Sequence, residues 1–164
     1  MFQQMLFQMR IQAKMDTNPT SKMEGLDYCN SCGICCWRRP CSFTPEDLKR
    51  VSNHMGMSES EFFKKYLAVD SPGGNKLYMI ATRKDQEDLL AKYVPSDRTF
   101  DLDTPCVFLD EKENHCKIHE VKPTEGKAFE CWVEQKPHDN ADKYVTEEYL
   151  KELGWDGNKY WDEE

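Results

Sequence analysis

The sequence predicts a small single domain of the α+β class, built from short helices and one or two β-hairpins. Three observations predict it. Two helix-start signatures follow one another closely after residue 43. Short apolar or alternating segments, separated by turn residues, occupy the middle of the chain. A last helix-length segment with a capping residue and a terminal glycine lies near residue 150.

Residues 1–27 form an extension ahead of the domain, which spans 28–164, and the extension is expected to be flexible. Phe2, Met5, Leu6, Met9 and Ala13 recur at helical spacing, so 1–14 fits a short amphipathic helix; Met1, Met15 and Met23 are alternative starts of translation. The cysteine-rich stretch 29–41 has no clean period and contains Gly33 and Pro40, which predicts a loop shaped by what it binds. Thr44-Pro45-Glu46-Asp47 is a helix start, with a capping threonine, a proline in the first turn and an acid three residues after the cap. Leu48, Val51 and Met55 continue one face, and Gly56 ends it. Ser58-Glu59-Ser60-Glu61 is a second capping box, opening a helix that carries Phe62, Phe63, Tyr66 and Leu67.

Pro72-Gly73-Gly74-Asn75 is a turn. Residues 76–83 alternate Leu77, Met79 and Ala81 with polar neighbours, as a half-buried strand does, and 85–93 fits a helix stopped by Pro95. Two short strands, 106–109 and 116–119, flank the polar turn 110–115, a hairpin that would bring Cys106 near Cys116. Residues 123–129 form a short helix or turn delivering Cys131. Residues 146–153 form a helix with Gly154 past its end, and Trp155, Tyr160 and Trp161 in the acidic tail are expected to pack on the core.

The chain has 164 residues, 38% hydrophobic and 32% charged, against typical values of about 45–50% and about 25%. The apolar core is therefore thin, and something besides burial should help hold the chain together. The formal net charge of −8 argues against nucleic acid as a main partner. No apolar run is long enough to span a membrane, and polar residues interrupt the N-terminus where a signal peptide would need a continuous apolar stretch. A cytoplasmic, reducing location is expected, where thiols persist and bind metal.

Eight cysteines supply the missing element. Cys29, Cys32, Cys35, Cys36 and Cys41 crowd into one stretch; Cys106, Cys116 and Cys131 follow at a distance. Disulfide frameworks spread their cysteines to staple separate loops, whereas C-x-x-C steps put thiolates within reach of one metal centre. Cys29-x-x-Cys32-x-x-Cys35 matches the first three positions of the bacterial ferredoxin run, but Arg39 stands at the fourth, so the completing ligand comes from elsewhere. C-x-x-C-H haem attachment and the C-x3-C-x2-C pattern of radical chemistry are excluded by Gly33 and Cys36. Neighbouring side chains of an extended chain point apart, so Cys35 and Cys36 face different centres, or one faces the core. All eight are candidate metal ligands. Spacing leaves an iron–sulfur cluster, favoured as four-iron, and zinc both open. Arg38 and Arg39 beside the loop would offset the charge of a cluster. His115 and His119 flank Cys116 and are more simply hairpin residues than ligands.

The blocks Cys29-x-x-Cys32-Gly33-x-Cys35-Cys36, Cys106-Val107-Phe108-Leu109, Cys116-Lys117-Ile118-His119-Glu120, Lys122-Pro123 and Phe129-x-Cys131 resemble the CxxCxxCC cysteine-cluster family (YkgJ-type proteins). The resemblance covers about 28–132 and implies a zinc- or iron-chelating domain, often labelled Fe–S-containing. Relatives include proteins similar to flagellin lysine N-methylases, but no glycine-rich nucleotide loop is present here. The family pattern implies a further cysteine where Gly126 stands, and Cys41 is not among its positions. Two readings of Cys41 follow: it replaces in space the thiolate absent at Gly126, or it packs under Phe43 as a small apolar residue.

The leading functional expectation is a cytosolic iron–sulfur protein acting in electron transfer, or in modification of a protein partner. A zinc-stabilised binding module without redox activity and a component related to protein lysine N-methylases are the alternatives. No Ser/His/Asp triad or paired-carboxylate motif is readable, so no catalytic residue is assigned.

Overall fold

The computed structural model describes residues 33, 36–37, 41–71, 76–94, 104–128 and 143–157. The expected helix over 1–14, the turn 72–75, Cys29, Cys32, Cys35 and Cys131, Arg38, Arg39, Tyr160 and Trp161 lie outside the described residues.

Among the described residues the order is β1 (Ser42–Phe43), α1 (Pro45–His54), α2 (Glu59–Tyr66), β2 (Leu67–Asp70), β3 (Tyr78–Ala81), a 3-10 turn at Glu87–Leu89, β4 (Leu109–Asp110), β5 (His115–Cys116), a second 3-10 turn at His119–Val121, α3 (Thr124–Ala128) and α4 (Glu147–Leu153). This is an α+β domain. Its main sheet is antiparallel with order β1-β3-β2, and β4 and β5 make a separate hairpin.

Both expected capping boxes form. Thr44 accepts from the Asp47 N–H while the Asp47 carboxylate accepts from the Thr44 N–H; Ser58 and Glu61 do the same for α2. Each satisfies amides that the first helical turn leaves orphaned. The α1 face of Leu48 and Val51 and the α2 face of Phe62 and Phe63 are fully buried. Phe62 is the centre of an aromatic group: Phe108 stacks on it at 5.8 Å, and Tyr66 and Phe43 lie at 5.0 and 5.9 Å. The expected α4 forms on its Thr146 cap, its Leu150 and Leu153 are buried, and Trp155 packs into the same core.

The sheet is covered on both faces. Met79 and Ala81 of β3, with Leu67 and Val69 of β2, join the main core; Tyr78 and Ile80, with Ala68, form a second apolar cluster with Val94. Leu67, expected on the second helix, instead starts β2, and the sequence carries no strand signal for Ser42–Phe43 or Ala68–Asp70. With both faces buried, β2 has no polar alternation to reveal it.

The helix expected over 85–93 does not form. Its backbone pairs with the outer side of β2 instead: Ala91 N–H donates to Leu67 O at 2.8 Å, and Val69 N–H donates to Lys92 O at 2.7 Å. Only the 3-10 turn Glu87–Leu89 remains of the helical tendency. The hairpin is also shorter than expected. Leu109 pairs with Cys116, and Asp110 with His115, while Ile118 to Val121 turns away as 3-10 helix. Cys106 stands outside the hairpin and bridges Arg83. No helix among the described residues is long and apolar enough to cross a membrane.

Truncating the aromatic centre tests this packing. Phe62→Ala should cost about 3–5 kcal/mol, read as a lower urea midpoint at unchanged slope, whereas Glu113→Ala in the exposed β4–β5 turn should stay within about 0.5 kcal/mol.

Candidate metal centre

The cysteine loop is fastened to the hairpin at Gly33. Its φ of +72° is a left-handed conformation that glycine adopts without strain, and a Cβ there would lie 2.6 Å from Asn114 Oδ1. Gly33 thus rests directly on the turn between β4 and β5. Cys36 N–H donates to Gly33 O at 3.1 Å, and the chain after this turn lays Cys36 against the hairpin. The Cys36 and Cys116 thiols meet in a hydrogen bond. Cys106 N–H donates to Cys36 O at 2.7 Å, so Cys36 joins both remote cysteines, one through sulfur and one through backbone. The direct Cys106–Cys116 strand pairing expected from sequence is replaced by this link. Cys36 and Cys106 are buried, and Cys116 is partly so.

The local electrostatics favour thiolate. The hydrogen bond from Cys36 lowers the Cys116 pKa; burial opposes this, and the Ile118 amide and the Lys122 charge assist, leaving it at about 7. Lys122 is itself buried. A thiol pair poised this way releases protons readily to a metal ion.

A second group of contacts docks the segment 122–126 onto the start of α1. The Asp47 carboxylate accepts from Thr124 N–H at 3.1 Å and Thr124 Oγ1 at 3.0 Å in addition to capping α1. Arg50 donates to Asp47 and to Lys122 O. Ser42 N–H donates to Glu125 Oε2 at 2.7 Å. The third rung is steric: a Cβ on Gly126 would lie 2.8 Å from Cys41 Sγ. Cys41 therefore occupies the space a side chain at Gly126 would need.

No disulfide joins Cys36, Cys41, Cys106 and Cys116 to one another. Among the described residues no group of three or more His, Cys, Asp or Glu is placed to hold a metal ion. The described residues thus bring Cys36 and Cys116 together and place Cys41 at Gly126. The chemistry of the pair suits a metal. Two thiolates on one tetrahedral zinc, at about 2.3 Å each, stand about 3.8 Å apart, the separation range of a sulfur hydrogen bond. The His115 and His119 rings face one another at 5.0 Å across the end of the hairpin.

Sequence reasoning missed Asp47, Lys122 and Arg83 as supports of this region. Each is a charged residue that reads as surface, and only its burial distinguishes it. The capping box did single out Asp47, but for the helix alone.

A small α+β domain in which Cys106 and Cys116 lie against Cys36, at the end of a C-x-x-C-x-x-C run, fits the class of metal-chelating domains. The CxxCxxCC family model, described as "Putative zinc- or iron-chelating domain", matches residues 28–149, and the chain belongs to that family. No curated protein and no solved structure matches the chain.

Two predictions follow from the docked segment. Burial pushes the Asp47 pKa up, but hydrogen bonds from Thr44, Arg50 and Thr124 outweigh it and hold the carboxyl below the ordinary aspartate range. A depressed native pKa stabilises the fold above the unfolded value of about 3.9, and that contribution fades as pH falls through the native value. Asp47→Asn should therefore cost about 1–3 kcal/mol in denaturant titrations at pH 7, and the gap to wild type should narrow below about pH 4. Gly126→Ala should destabilise by about 1–3 kcal/mol through the Cys41 clash, although alanine is the better helix former by about 1 kcal/mol. Adding Cys41→Ala should recover most of that loss, which a double-mutant cycle in urea would read directly.

Proposed function

We propose that this protein carries an iron–sulfur cluster, of the four-iron kind, in the cytoplasm, and uses it to transfer electrons or to assist modification of a partner protein. The ligands would come from Cys29, Cys32, Cys35, Cys36, Cys41, Cys106, Cys116 and Cys131. The observation that carries this reading is the meeting at Cys36. The C-x-x-C-x-x-C run passes directly into Cys36, whose sulfur touches Cys116 and whose carbonyl holds Cys106. A three-thiolate run that lacks its fourth ligand thus leads into remote cysteines able to complete a site. When bound, the cluster would supply a one-electron store. The chain's own residues would do the rest: burial of Cys36 and Cys106 limits water, and Lys122 and the Ile118 amide stabilise thiolate at Cys116.

A zinc-stabilised binding module is the second reading, favoured by the Cys36–Cys116 sulfur contact, which a single tetrahedral ion would also use.

Anaerobic purification with metal and sulfide analysis separates the two. The cluster reading expects a brown protein with broad visible absorption and iron and acid-labile sulfide in equal amounts. A colourless anaerobic preparation with stoichiometric zinc and no sulfide would defeat it and establish the binding module.

A further inference from the structure

Arg83 is among the most deeply buried charged residues of the described chain, 1% exposed like Asp47 and Asp70, and it is the one cation of the three. Taking a charge out of water costs several kcal/mol unless its surroundings answer it. Asp47 is answered by the helix cap and the docked segment. Arg83 sits at the cysteines.

Its backbone lies opposite Cys106 in an antiparallel bridge, closed by Lys84 N–H to Pro105 O at 3.1 Å and Val107 N–H to Thr82 O at 2.9 Å. Its Nη1 donates to the carbonyl of Trp37, the residue after Cys36, at 3.2 Å, and to the carbonyl of Thr104, two residues before Cys106. One guanidinium therefore ties together the backbones that carry two cysteines. The base of the side chain is fixed as well. Arg83 N–H donates to the side chain of Gln86 at 3.0 Å, and Gln86 N–H donates back to Arg83 O at 3.1 Å, with Gln86 itself buried. Both carbonyls are reached from one nitrogen, Nη1, whose two N–H bonds are fixed in the guanidinium plane; a lysine ammonium on its flexible stem does not hold that geometry.

We propose that Arg83 is the positioning residue of the thiolate centre. It sets the separation of the Cys36 and Cys106 segments, and it brings a permanent positive charge into the buried region where anionic sulfur gathers. This rests on the metal-binding reading above and goes beyond it, since Arg83 contributes no ligand.

Cobalt(II) loaded anaerobically into the full chain provides the test, because its visible bands report the thiolate geometry and a competing chelator reports retention. Arg83→Met should hold cobalt about 10–100-fold more weakly, with altered bands. Arg83→Lys should fall between it and wild type, keeping the charge and losing one carbonyl. Variants that retain cobalt as wild type does, with the same bands, would overturn the proposal even if their thermal midpoints fall, because Arg83 would then serve the fold alone. If Arg83→Met does not fold, Arg83→Lys decides. If neither folds with or without cobalt, Arg83 is a fold residue and the proposal fails. A wild-type chain that takes up no cobalt and also holds no iron, sulfide or zinc after anaerobic purification would refute the metal-binding reading itself.

Discussion

One carboxylate, that of Asp47, holds two parts of this fold in register. It closes the capping box that starts α1 and receives the backbone and hydroxyl of Thr124, 77 residues further along. That second role docks the start of α3 beside α1, where the Ser42–Glu125 hydrogen bond and the Arg50–Lys122 O bond add to it. The approach of Cys41 to Gly126 depends on the same register. A buried carboxylate that keeps its charge needs several donors, and Thr44, Arg50 and Thr124 together supply them.

Strand β3 and its continuation act as the ruler for the cysteines. Ala81 N–H holds Cys41 O at 3.0 Å, and two residues later Arg83 bridges Cys106. Cys106 in turn holds Cys36, and Cys36 meets Cys116 on the hairpin. Each described cysteine is thus within three such links of a buried, two-faced strand. Such a scaffold orients ligands more tightly than a free loop, and tight orientation is what a thiolate site requires to bind without large ordering costs.

The sequence made the helices legible because their signals are local. Two capping boxes and a Thr146 cap with Gly154 depend only on residues three or four apart. It made the metal-chelating class legible through cysteine spacing, and the closeness of Cys41 to Gly126 through a loss matched by a gain. It concealed β2, since Leu-Ala-Val-Asp buried on both faces carries no period of two. It also suggested a helix over 85–93 where pairing with the outer side of β2 overrode local propensity. Arg83 and Lys122 were invisible for a related reason. A charged side chain reads as surface until the tertiary fold surrounds it, and no local pattern marks the exception.

The central claim is that the cysteines converge on one kind of chemistry, metal held by sulfur. X-ray absorption at the metal edge of anaerobically purified protein tests it most directly. The prediction is a first shell dominated by sulfur at about 2.3 Å, with iron–iron scattering if a cluster is present. A first shell of oxygen and nitrogen at about 2.0–2.2 Å would contradict it and would leave the buried thiols as packing.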